Sequence, residues 1–294
     1  MGVMASPGRL AAFDTPNVRR VLYGAAIVGL LLGVQTVVLH LSMDPLADVR
    51  AYYDAGTRLN EGRSLYDQPA TTNDAAFYRY PPLLAIAFRP LAMLPFEVAA
   101  LIWEAFLLGC LALTIVRLRP NRRTWVVLGM LALPTGWALA IGQAQVLVTL
   151  LMALGSPVAL ALATNLKLFP ALAAVWWLGR RDWRSLGWFA GWLLALAFVQ
   201  LALEPAGTLA YPATIGLEQV GSVENRSLYG VSPILWAAAV VVGTILAWRL
   251  APTRWGWVAA VALSVLATPR LLIYQLSTLV AALREPDPAR TAPR

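Results

Sequence analysis

Between Gly24 and Leu41 the chain carries no charge apart from the titratable His40, and stretches of the same kind recur as far as Leu283. About 20 apolar residues are enough for a helix to cross a hydrocarbon layer roughly 30 Å thick. Inside that layer every backbone polar group must be satisfied within the protein, which restricts such a chain to helices or a closed barrel. Hydrophobic residues make up 59% of the 294 positions and charged residues 13%, where soluble domains hold about 45–50% and 25%. The apolar surplus exceeds what a soluble core absorbs. An all-α polytopic membrane protein follows, with residues 1–294 as one domain.

Residues 21–41 follow Arg19 and Arg20 and so resemble a secretory leader. The apolar run is longer than the usual 7–15 residues, and Pro45-Leu-Ala-Asp48 makes a poor cleavage site, so an uncleaved first helix is expected. Residues 1–6 match an N-myristoylation pattern, which carries little meaning in a chain of bacterial composition. Cys110 is the single cysteine, which leaves no intrachain disulfide and no cysteine cluster for a metal. No metal site or cofactor is expected.

Lys and Arg concentrate in short cytoplasmic loops. Dense clusters fall at Arg117–Arg123, Arg180–Arg184, Arg249–Arg254 and in the tail 285–294, besides those before the first helix. Placing all of them inside predicts a multi-pass protein of the bacterial plasma membrane with both termini cytoplasmic. Loops 42–95 and 204–232 then lie outside. The formal charge of +8 is accounted for by orientation and by contact with anionic membrane lipids, and nothing points to nucleic acid. Crossings are expected near 21–41, 96–117, 124–141, 185–203, 233–250, 255–267 and 271–283. The segment 143–178 contributes one pass or three, because Gly155-Ser-Pro157 and Lys167-Leu-Phe-Pro170 interrupt it. The total is eight to ten helices, with Lys167 at an outer break.

In the first outer loop, Val49, Tyr52, Tyr53, Gly56 and Leu59 alternate at helical spacing with Arg50, Asp54, Arg58 and Glu61. This is the pattern of a helix lying in the interface plane, stopped at Asn60-Glu-Gly62. Gly29-x3-Gly33 and Gly187-x3-Gly191 fit close helix packing. Trp176, Trp177, Trp183, Trp188 and Trp192 read as an inner aromatic belt.

The runs Asp48-x3-Tyr52-x2-Ala-Gly56-x2-Leu59-x2-Gly62-x2-Leu-Tyr66, Phe77-x2-Tyr80-Pro-Pro82, Pro90-Leu-Ala-x-Leu-Pro95, Gly142-Gln143, Lys167-Leu-Phe-Pro170, Asn225-x-Ser-Leu-x-Gly230 and Thr268-Pro269-x4-Tyr274-x-Leu276 together resemble glycosyltransferase family 87. The resemblance implies a GT-C membrane fold, a polyprenyl-phosphate sugar as donor, a lipid or glycan acceptor, and an outward-facing site with an acid at Asp48 as the catalytic base. It points to transfer of a hexose, mannose first among them, with inversion.

Transfer from a lipid phosphate needs a base for the acceptor hydroxyl proton and cations for the charge developing on the departing phosphate. Asp48 suits the first role, although it equally fits an N-cap for the interfacial helix, and Asp44 is close enough to replace it. Of the outer cations Arg50, Arg58, Arg63, Arg79, Arg89, Lys167, Arg226 and Arg270, the phosphate is assigned to Lys167, Arg270 and Arg226. Tyr52, Tyr80, Gln143, Asn225 and Tyr274 are assigned to the sugar or acceptor, although tyrosines also form interfacial belts and glutamine also packs helices together. Two rival readings stand beside the enzyme. A transporter or flippase would place its ionisable residues near the bilayer midplane and show matching halves, and a degenerate, inactive scaffold would keep the fold alone.

Overall fold

The computed structural model describes residues 15–43, 45–66, 78–214 and 225–284. Asp44, Phe77, residues 1–6 and the tail 285–294 lie outside the described residues. Every regular element among them is helical. Four helices are long and apolar enough to cross a membrane: α1 (Pro16–Met43), α4 (Phe96–Leu118), α10 (Trp183–Leu203) and α12 (Pro233–Leu250). Each leaves most of its surface uncovered by the rest of the protein, as expected of helices solvated by lipid. Between α1 and α4 lie the interfacial α2 (Ala47–Asn60) and the short α3 (Pro82–Phe88).

The interior is built from short helices. α5 (Arg122–Met130) and α6 (Ala132–Ala140) form one interrupted pass against α1. The stretch 143–178 resolves into three pieces: α7 (Gln145–Leu154), α8 (Pro157–Leu166), and a 3-10 turn (Phe169–Ala174) running into α9 (Val175–Gly179). α13 (Gly256–Leu266) and a 3-10 helix (Ile273–Leu283) complete the set, whereas α11 (Pro205–Thr214) buries only Gly207. The local chemistry explains the breaks. Gly155 ends α7 with φ 54, and Ser156 then caps α8 through Ala159 N–H, with Pro157 supplying the first helical φ. At ten residues, α7 and α8 are about 15 Å long, far shorter than the long helices around them.

The short pieces run back and forth between two polar ends. At one end Arg284 donates to the Gly155 carbonyl at 3.2 Å and lies over Trp176 and Trp257. At the other end Gln143, Lys167 and Tyr274 come together with the first turn of α2. The site is therefore at the end of a short-helix core enclosed by longer, lipid-facing helices.

Three expectations change. The helical spacing puts Arg58 on the wet face of α2, but it is buried because the chain folds back and the Leu65 carbonyl accepts from its Nε–H at 3.1 Å. Trp176 and Trp177 are core residues, 6% and 2% exposed, packed on Trp257 and Phe189, whereas Trp183 and Trp188 do face outward. Gly187 and Gly191 have open space where a Cβ would go, so that pair forms no close seam. Gly29 and Gly33 do form one: a Cβ on either would strike the backbone of residues 129–133.

Candidate functional site

Asp48 stands in the first turn of α2, whose N-cap is Leu46 with φ 57 and no side-chain cap. The carboxylate therefore does not cap its own helix. Its backbone N–H donates to the Ile141 carbonyl at 3.1 Å, which ties the helix start to the turn after α6. That turn requires Gly142 at φ 68. A Cβ there would collide with Val49, so glycine is needed for its conformation and for its lack of a side chain. Trp103 Nε1–H on α4 donates to the Gly142 carbonyl at 2.8 Å.

The turn presents Gln143, whose Nε2 donates to Asp48 Oδ2 at 2.9 Å. Gln143 Oε1 accepts from Tyr52 at 2.9 Å and from Tyr80 at 2.5 Å, and the two hydroxyls lie 3.0 Å apart. Tyr80 is delivered by the start of α3. Pro81 and Pro82 remove two of the N–H groups a helix start leaves orphaned. Gln200 Oε1 accepts from Leu83 N–H at 3.1 Å, and Tyr78 Oη accepts from Ala85 N–H at 2.9 Å.

Lys167 sits where α8 ends, its Nζ 5.0 Å from the Tyr274 ring centroid and 5.5 Å from that of Tyr80. Lys167, Arg79 and Arg270 all draw the Asp48 carboxyl toward its ionised form. None of them is in ion-pair contact with Asp48, whose Oδ1 accepts no hydrogen bond among the described residues. Asp48 lies in the interfacial helix, outside the spanning segments. Burial raises its carboxyl from 3.8 to about 6, against the pull of Lys167, Arg79, the Gln143 hydrogen bond and Arg270. The Asp48 carboxylate thus feels the charge of three cations, Lys167, Arg79 and Arg270.

The other loop arginines make contacts of their own. Arg50 lies over the Phe96 ring at 3.4 Å, Arg63 pairs with Glu61, and Arg89 donates to Asn60 Oδ1 at 3.0 Å. Arg226 is exposed and contributes its backbone N–H to the Leu271 carbonyl at 2.7 Å. Asn225 clips its loop to the last turn, donating to Pro269 O at 2.9 Å and accepting from Leu271 N–H at 3.0 Å. Gln145 bonds Thr278 at 2.6 Å inside the core. Among the described residues no group of three or more His, Cys, Asp or Glu could hold a metal.

The sequence profile of glycosyltransferase family 87 matches residues 77–284. The chain belongs to that family. The match takes in Arg79, Tyr80, Gln143, Lys167, Arg270 and Tyr274, whereas the run around Asp48 precedes it. A polyprenol-phosphate-mannose-dependent α-(1-2)-phosphatidylinositol pentamannoside mannosyltransferase of Mycolicibacterium smegmatis is 27% identical over 240 residues, which is 69% of this chain and 58% of that protein. The family 87 chain thus spans little more than half the length of this curated relative. No solved structure matches it. Arg79 is the member of the cluster that sequence reasoning left among the general loop cations. Its place in Tyr78-Arg-Tyr-Pro-Pro82, beside a helix start, was the available signal.

Proposed function

We propose that this family 87 protein is a mannosyltransferase that moves mannose from a polyprenyl-phosphate donor to a lipid or glycan acceptor at the outer face of the plasma membrane, with inversion. The observation that carries this reading is Asp48 set opposite Lys167, Arg79 and Arg270 with one carboxylate oxygen uncommitted. Asp48 removes the proton from the acceptor hydroxyl. The acceptor oxygen bonds to the anomeric carbon as the bond to the phosphate oxygen breaks, and that oxygen keeps the electron pair. A donor phosphodiester bears one negative charge and the released monoester gains another. Cationic side chains at Lys167, Arg79 and Arg270 therefore stabilise the departing group more than the bound donor, which is what lowers a barrier.

A transporter reading is less well supported, because the ionisable groups gather at one end of the bundle rather than midway. The test uses the purified full chain with polyprenyl-phosphate mannose as donor and phosphatidylinositol pentamannoside as acceptor, following loss of donor. The wild type should consume donor only with acceptor present, and folded Asp48→Asn should not consume it. Wild-type turnover by Asp48→Asn, together with loss in Asp44→Asn, would transfer the base to Asp44.

A further inference from the structure

Gln143 is fully buried, and its carbonyl oxygen has both lone pairs occupied by the Tyr52 and Tyr80 hydroxyls. A side-chain amide has nearly the same shape either way round, so its partners decide which end faces Asp48. Here they leave one arrangement. The Ala144 backbone N–H donates to the Tyr52 oxygen at 3.2 Å, so the Tyr52 proton points away from it, toward Gln143 Oε1 and Tyr80. With the amide reversed, an oxygen would confront the Asp48 carboxylate, and the hydroxyl protons of Tyr52 and Tyr80 would lose the carbonyl that now accepts them.

We propose that Gln143 is a positioning residue for the base: clamped by Tyr52 and Tyr80, its amide grips Asp48 through Oδ2, keeps the carboxylate charged and aims Oδ1 at the acceptor hydroxyl. The proposal rests on the reading of Asp48 as base. It moves Gln143, Tyr52 and Tyr80 from the sugar-contact role suggested by sequence to a buried relay behind the base. Tyr80 has a second duty, because the same ring lies 5.5 Å from Lys167 Nζ. Donor-phosphate and acceptor sides of the reaction therefore share one side chain. Nothing in the relay needs to touch the sugar.

The test is the pH profile of kcat/KM for the full chain with the same donor and acceptor, comparing wild type, Gln143→Leu, Tyr80→Phe and Tyr52→Phe/Tyr80→Phe. Loss of the amide donor should lower turnover at neutral pH and move the acid limb up by about one pH unit, with donor KM unchanged. The tyrosine variants should move the limb the same way by less. A raised donor KM with an unmoved limb would make Gln143 a sugar contact and overturn the proposal, as would uniform loss at every pH. If Gln143→Leu does not fold, Tyr80→Phe, which keeps the ring, decides by the same criterion. Asp48→Asn is measured beside them: activity in that variant overturns the base itself, whereas an inactive Asp48→Asn with an unmoved limb in the relay variants overturns the relay alone.

Discussion

The Trp103 indole N–H and the Gly142 carbonyl form a hydrogen bond that couples a lipid-facing helix to the turn carrying Gln143. Trp103→Phe keeps the aromatic packing on Phe88 and Tyr52 but strands a buried carbonyl, which costs about 1–3 kcal/mol. The variant should inactivate at a lower temperature in detergent and turn over more slowly, with its donor KM kept. Gly142→Ala should be worse, because it adds a Cβ against Val49 at a left-handed φ. Equal heat stability in wild type and Trp103→Phe would show that the bond does not brace the turn.

Lys167→Met should weaken donor binding by roughly 10- to 150-fold, the equivalent of losing a charged hydrogen bond of about 1.5–3 kcal/mol. Acceptor KM should change little. Titration with polyprenyl-phosphate mannose measures this directly, and unchanged affinity would assign the phosphate to Arg79 and Arg270.

The pH dependence follows from the sign of the Asp48 shift. A base works ionised, and burial raises its carboxyl to about 6, so turnover should climb through pH 6 and level off above it. Below the limb it should fall about tenfold per unit. Removing Lys167, whose charge pulls that carboxyl down, should carry the limb upward. A profile flat down to pH 4 would disqualify Asp48.

Orientation can be tested by single-cysteine labelling in a Cys110→Ser background. Glu61→Cys, exposed at the end of α2, should react with an impermeant maleimide in intact cells, whereas Arg254→Cys, exposed between α12 and α13, should react only after lysis. The reverse result would put the site on the cytoplasmic side.

What could be read from the sequence divides along physical lines. The long apolar helices, the interfacial α2 and the breaks at Gly155 and Lys167 rest on local signals: charge-free length, helical spacing, Gly and Pro. Asp48 and Lys167 stood out because each is an ionisable group beside apolar chain. The bond between Asp48 and Gln143 spans 95 residues and that between Tyr52 and Gln143 spans 91, and no spacing rule reaches so far. Arg58 and Trp176 were misplaced for a related reason. Periodicity says which residues share a face, and only the tertiary fold says what covers it.

The Gly29 and Gly33 face of α1 has its partners about a hundred residues downstream, in α5 and α6. At about 5–20 residues per second, the ribosome takes roughly 5–20 s to make that distance. The first helix therefore waits in the bilayer with a smooth, small-residue groove uncovered, the kind of surface to which other helices adhere. Correct assembly depends on timing as well as on fit: slow translation between residues 43 and 122 lengthens the exposure, and a chain truncated before α5 leaves the groove of α1 without its partner.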